Sequence, residues 1–206
     1  MTEIKLTKNE LRAQQNRLGQ LNKYLPTLQL KKAMLQVEVN EARLEIADCE
    51  ERFNLLHSQV ERYSPLLSET LAINVEDSAK IQEVNRRYEN IAGVEVPYFE
   101  SIVFADFTYS LFDTPPWVDP VTIGLRGLVE ANVRIRIARE KKTALENELR
   151  EVSIRINLFE KILIPRAVRN IKKIKVFLGD QQLAAVSQAK VAKAKIVMRK
   201  EALSRE

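Results

Sequence analysis

Apolar residues along the first third of the chain recur at alternating steps of three and four. Starting from Leu11, the positions are Gln14, Leu18, Leu21, Leu25, Leu28, Lys32, Leu35, Val39, Ala42, Ile46, Cys49, Phe53, Leu56, Val60, Tyr63 and Leu67, and all but Gln14 and Lys32 are apolar or aromatic. A 3.5-residue repeat sustained over such a length holds one narrow stripe against a partner helix, so it predicts a coiled coil. The last third resumes the pattern with Leu145, Leu149, Val152, Ile156, Phe159 and Leu163, after which the steps lengthen through Ala167, Ile171, Ile174 and Leu178. A drift from seven- towards eleven-residue spacing relaxes a left-handed supercoil. Beyond it the seam fades into Gln182, Ala185, Ala189, Ala192 and Ile196.

The middle has another texture. Val94, Val96 and Tyr98 alternate beside Gly93 in a stretch rich in β-branched and aromatic residues, which predicts a short β-hairpin within 81–104. The segment DTPPWVDP then excludes helix, because Pro115, Pro116 and Pro120 lack a backbone donor. Asp119 followed by Pro120 reads as the N-cap and first-turn pair of a returning helix. Neither long helix buries its stripe alone, and the middle offers a place to turn round. The predicted fold is therefore mainly α: a long antiparallel two-helix coiled coil formed by the N- and C-terminal helices, with a small middle module containing a short β-hairpin. The expected boundaries are 1–75 for the first helix, 76–119 for the middle module and 120–206 for the second helix.

Pro26, Pro65 and Pro165 fall within the helical patterns. Each removes one backbone bond and crowds the preceding turn, at about 3 kcal/mol in a helix interior. Pro165 interrupts the run IRINLFEKILIPRAVRNIKKI, residues 154–174, and reads either as a tolerated kink on a solvent face or as a bend in a shaft.

Composition supports long elements, since only 5 glycines and 7 prolines are available for turns. Charge is unevenly distributed within the formal net of +5. Residues 161–200 carry eleven Lys or Arg against Asp180 alone, whereas 36–77 carry ten acids and three Arg. Antiparallel pairing brings residues 1–36 to the same end as 161–200, for eighteen basic residues against three acidic. Such an end suits a complementary protein cavity. Phe177 is the one aromatic residue of 161–200, so nucleic-acid bases have no stacking platform there.

Candidate chemistry is sparse. Cys49 sits on the seam as a small hydrophobe, and His57 lies just off it as a solvated or edge residue. One cysteine and one histidine make no familiar metal set, and glycines 19, 93, 124, 127 and 179 never cluster into a phosphate-binding loop. No catalytic, cofactor-binding or metal-ligating residue is expected. Nor does any apolar run approach the roughly 18 residues of a membrane span, so the expectation is an intracellular protein with no anchor of its own.

Two motifs carry a resemblance to a known family. Arg155-Ile156-Asn157-Leu158-Phe159-Glu160 followed by Ile164-Pro165-Arg166 is similar to the "R-R-V-N-A-L-E … I-P-R" run of the D subunits of the rotary V/A-type ATPases and ATP synthases. Asn90-Ile91-Ala92-Gly93-Val94-Glu95-Val96-Pro97 resembles that family's "N-I-M-G-V-x-V-P". The sequence departs from the family after the proline motif, where Leu178-Gly179-Asp180 leads into Gln181-Gln182-Leu183 and an Ala/Lys-rich tail, and Pro26 stands where the family suggests uninterrupted helix.

The resemblance implies a non-catalytic central-stalk rotor that couples ATP synthesis or hydrolysis to proton or sodium translocation. Its implied partners are the A and B subunit hexamer and the F and C subunits, with no nucleic acid and no cofactor. It also implies a cytoplasmic location, peripheral to the membrane through the complex. The family-motif residues are Asn90, Gly93, Pro97, Arg155, Asn157, Glu160, Pro165 and Arg166. Off the seam, Arg166, Arg169, Lys172, Lys173 and Lys175 are the candidates for touching the stator. The alternative is an autonomous basic coiled-coil adaptor or nucleic-acid-binding protein.

Overall fold

A computed structural model describes residues 4–65, 74–109 and 114–203. It is mainly helical. Helix α1 runs Lys8–Glu61, followed by a 3-10 turn at Val75–Ala79, strands β1 (Ile81–Ile91) and β2 (Val94–Phe104), helix α2 (Val118–Leu158), a π-helical turn at Phe159–Leu163 and helix α3 (Ile164–Leu203). The chain divides into residues 30–153 and residues 1–29 with 154–206.

Within residues 30–153, α1 and α2 pair antiparallel. Partner numbers fall along α2 as they rise along α1: Lys31 meets Glu148 at 2.6 Å, Glu45 meets Lys141 at 2.9 Å, and Glu50 meets Arg139 at 2.6 Å. Leu35, Val39 and Ala42 of α1 and Ala131, Ala138, Leu145 and Val152 of α2 are buried, following the heptad seam. Near the far end of α1 the helices come close enough that a Cβ added at Gly124 would lie 2.6 Å from Val60 Cγ2. Within residues 1–29 and 154–206, Leu21, Ile156, Ala167 and Ile174 are buried, and Asn170 donates to Gln14 at 3.5 Å.

Among the described residues the seam of α1 departs from its expected course at Lys32. Lys32 is exposed and Lys31 is half-buried instead, turned towards Glu148. Cys49 is half-buried and His57 exposed. Leu67 lies outside the described residues.

Helix ends follow local chemistry. Thr7 Oγ1 accepts from Glu10 N at 3.2 Å, capping the first turn of α1. The helix continues through Pro26. It stops before Pro65, which therefore lies beyond the helix rather than within it; the residue before a proline is driven out of the α region. Helix α2 begins at Val118, one residue before the expected cap. Asp119 thus sits inside the first turn, where its carboxylate accepts the Tyr109 hydroxyl, and Pro120 occupies a position whose missing donor costs no bond.

The hairpin fills the expected stretch 81–104, with two eleven-residue strands paired from Ile81–Phe104 to Ile91–Val94. Its loop is Ala92-Gly93, with φ of 50° and 84°, as a two-residue turn with both central residues left-handed requires. Asn90 Oδ1 accepts from Gly93 N at 2.9 Å and closes that turn. Register shifts between Ile81 and Glu83 and between Asn85 and Arg86 let the strands bend.

Candidate partner-binding surfaces

Three cations of α2 line up under three rings of β2. Lys141 Nζ lies 4.1 Å from the Tyr98 ring centre, the Arg134 guanidinium 4.6 Å from Phe99 and that of Arg126 5.4 Å from Phe104. The ladder is antiparallel, and it holds the hairpin on α2 together with the Arg86–Glu140 ion pair at 2.7 Å, while Arg126 Nε also donates to Ser78 O of the preceding 3-10 turn at 2.8 Å. Val96 and Pro97 are buried beneath.

Lys141 is the centre of this arrangement. It is only 6% exposed, and its ammonium bridges Glu45 of α1 and Tyr98 of β2. Burial works to lower its pKa, but the bond to Glu45 and the Tyr98 contact outweigh that and raise it above the usual lysine value. Sequence reasoning passed over this residue. Its signal was a lysine spaced four from Ile137 and Leu145 on an apolar face. That reads as a defect until the register with Glu45 is known.

The family-motif residues fall into two places. Asn90 and Gly93 build the hairpin turn, and Pro97 is buried in β2. Arg155, Asn157, Glu160, Pro165 and Arg166 straddle the π-helical turn, where the Ile164 N–H reaches back to Phe159 O. The extra residue of this turn shifts the seam by one position at Leu163, where the spacing begins to lengthen. Glu160 accepts from Gln29 Nε2 at 2.8 Å. Pro165 is half-buried rather than on a solvent face, while Arg155, Asn157 and Arg166 are exposed. Arg166 borders a cavity of about 400 Å³ with Lys5, Gln14, Arg17 and Asn170.

Arg166, Arg169, Lys172, Lys173 and Lys175 are all exposed on α3, and at about 100° per residue they cover roughly half of its circumference. None makes an ion pair among the described residues. From 181 to 200 every residue is exposed, including Leu183, Val186, Ile196 and Met198.

Among the described residues no group of His, Cys, Asp and Glu could hold a metal ion, and no helix is long and apolar enough to cross a membrane. Burial, then Glu45, raises the Cys49 thiol above its usual pKa, which disfavours the reactive thiolate.

Comparison with known proteins supplies the frame for these surfaces. The sequence profile of a family described as the ATP synthase D subunit matches residues 10–194. The chain is 46% identical over 201 residues to the V-type ATP synthase D subunit of Chlamydia abortus, with 97% of each chain covered. It is 43% identical to that of Chlamydia pneumoniae, covering 96% of this chain and 95% of the relative. The figure for Chlamydia trachomatis serovar L2 is 41%, covering 97% and 99%. With profile and relatives both spanning nearly the whole chain, and the hairpin turn and π-helical turn falling on the two motifs, the chain belongs to the family of ATP synthase D subunits.

Proposed function

We propose that this chain is the central-stalk rotor shaft of a V/A-type ATP synthase, coupling ATP synthesis or hydrolysis in an A and B subunit hexamer to proton or sodium translocation. One observation carries the reading beyond family membership. Helix α3 has 40 residues, and 181–200 are exposed throughout. A helix whose surface apolar residues are left uncovered by the described residues calls for cover in trans.

The basic stretch from Arg166 to Lys175 supports the same reading. Cations not committed to internal pairs attract an acidic cavity at long range and tolerate sliding, as a turning shaft requires. Two paired helices resist bending better than one. The chain itself is non-catalytic in this account, with ATP chemistry belonging to the A and B subunits. The F and C subunits are its other partners, and it reaches the membrane only through the complex, on the cytoplasmic side.

The test is assembly and coupling. Replacing Arg166, Arg169, Lys172, Lys173 and Lys175 together by Glu is expected to weaken copurification of the A and B subunits and to uncouple ATP hydrolysis from ion transport. Unchanged assembly and coupled turnover would remove the five from the contact. Salt-steep binding of DNA or RNA without A and B subunits would favour the nucleic-acid adaptor instead.

A further inference from the structure

Two helices that face each other are interrupted at one level. On α1, Pro26 has no N–H to give the Asn22 carbonyl, and the Thr27 hydroxyl donates to the next carbonyl, Lys23 O, at 3.5 Å. On the facing helix the π-helical turn Phe159–Leu163 is followed by Pro165, which also lacks a donor. Two side-chain bonds fix the level: Gln29 donates to Glu160 at 2.8 Å and Asn170 to Gln14 at 3.5 Å. Pro26 lies between the two bonded positions of α1, and Leu163 and Pro165 lie between those of the facing helix. Prolines and π-helical turns are each a common cause of helix kinks.

The core is thin over the same stretch. Along α1 no residue between Leu21 and Leu35 is buried, and along the facing helix none is buried between Ile156 and Ala167. The seam positions Leu25, Leu28, Phe159 and Leu163 are half-buried, while Pro26, Thr27, Glu160 and Lys161 are exposed. A helix opens most easily where buried apolar contacts are few and backbone bonds meet water. The division of the chain, between Gln29 and Leu30 and between Ser153 and Ile154, falls in or beside this stretch.

We propose that residues 22–30 and 157–166 form a joint, at which both helices open together while the turns on either side stay formed. One interruption alone would leave an intact neighbour to splint the weakened helix. Set opposite one another, the two leave no splint, so bending concentrates at this level instead of spreading along the pair. The joint is a property of the isolated chain and does not depend on the rotor reading.

The experiment is hydrogen exchange of the full chain, read by mass spectrometry and corrected for intrinsic rates. Amides of 23–30 and 159–166 are expected to exchange at least about tenfold faster than those of 14–21, 36–44 and 167–176, a difference in opening of about 1.4 kcal/mol. Pro26→Ala restores the bond to Asn22 O. It should slow exchange in 23–30 and, across the interface, in 159–166, by at least about threefold in each. The effect on the facing helix is the readout that a purely local repair of α1 would not produce. Rates that fall steadily from Lys8 towards Leu35 would mean fraying from the end, and slowing confined to α1 would mean two independent weak turns. Either result overturns the joint, as does uniform exchange over all five stretches. Copurification with A and B subunits decides the rotor reading separately, whichever way the exchange falls.

Discussion

In residues 30–153 the helices are joined by Lys31–Glu148, Arg43–Glu146, Glu45–Lys141 and Glu50–Arg139, and the hairpin is held by three cations under three rings. In residues 1–29 with 154–206, the contacts between helices include side-chain hydrogen bonds donated by Gln29 to Glu160 and by Asn170 to Gln14, and the cations from Arg166 to Lys175 are exposed. In the first region these four pairs between the helices fix one register. In the second, the cations from Arg166 to Lys175 make no ion pair among the described residues, which leaves these five available to a partner. The difference teaches that net charge is a poor guide to this molecule, and that where the charges are spent distinguishes packing from docking.

Core substitutions should break the comparison most strongly. Leu145, fully buried, is expected to lose about 3 kcal/mol as Leu145→Ala, whereas Leu183→Ala, 69% exposed, should stay within about 0.5 kcal/mol in urea unfolding of the isolated chain. Equal losses would mean that both regions bury their apolar residues alike.

Next in size is Lys141→Met. Glu45 is 44% exposed and water can rehydrate it, so the loss should be about 1–2 kcal/mol rather than the larger cost of stranding a buried charge. The pH dependence follows from the raised pKa of Lys141. A lysine whose folded pKa lies above its unfolded value, about 10.4, gives stability that is complete below that value and lost as pH rises through the folded pKa. The wild-type chain should therefore lose stability above about pH 10 more steeply than Lys141→Met. Parallel curves would deny the ammonium its role.

Two neighbouring glycines should move in opposite directions. At Gly127 an added Cβ lies 3.9 Å from Leu56, an ordinary contact, so Gly127→Ala should gain up to about 1 kcal/mol from helix propensity. At Gly124 the added carbon lies 2.6 Å from the stiff Val60 side chain, so Gly124→Ala should lose about 1 kcal/mol net. Gains at both, read from thermal unfolding, would show that the helices can part at Gly124 without cost.

Much of the fold was legible because the heptad seam is a local, repeated signal. Leu35, Val39, Leu145 and Val152 lie where the period put them, and Val96 with Gly93 announced the hairpin. The site was legible in kind but not in geometry. Lys141 looks like a flaw in a seam until Glu45 and Tyr98 are brought to it, and such partners distant in sequence have no period. Asp119 failed as a cap because α2 begins one residue earlier, at Val118, which places its carboxylate inside the first turn. The stretched spacing at Leu163 was visible, but a drift of the seam does not by itself specify a π-helical turn.

The smallest expected effect concerns Pro165. A proline costs about 3 kcal/mol in a regular helix interior, yet here the turn before it is already π-helical, with Ile164 bonded to Phe159. Pro165→Ala should thus recover less than about 1 kcal/mol. A gain near 3 kcal/mol would show that the π-helical turn does not absorb the proline.

The rotor claim itself is tested most directly by watching the chain move. With Cys49 replaced by Ala and a cysteine placed at Tyr88, which is 61% exposed on the hairpin, a probe can be attached to the chain in a complex whose A and B subunits are fixed to a surface. Unidirectional rotation of the probe is expected when ATP is supplied, stopping when hydrolysis is blocked. Sustained ATP hydrolysis by the intact, ion-coupled complex with a stationary probe would contradict it.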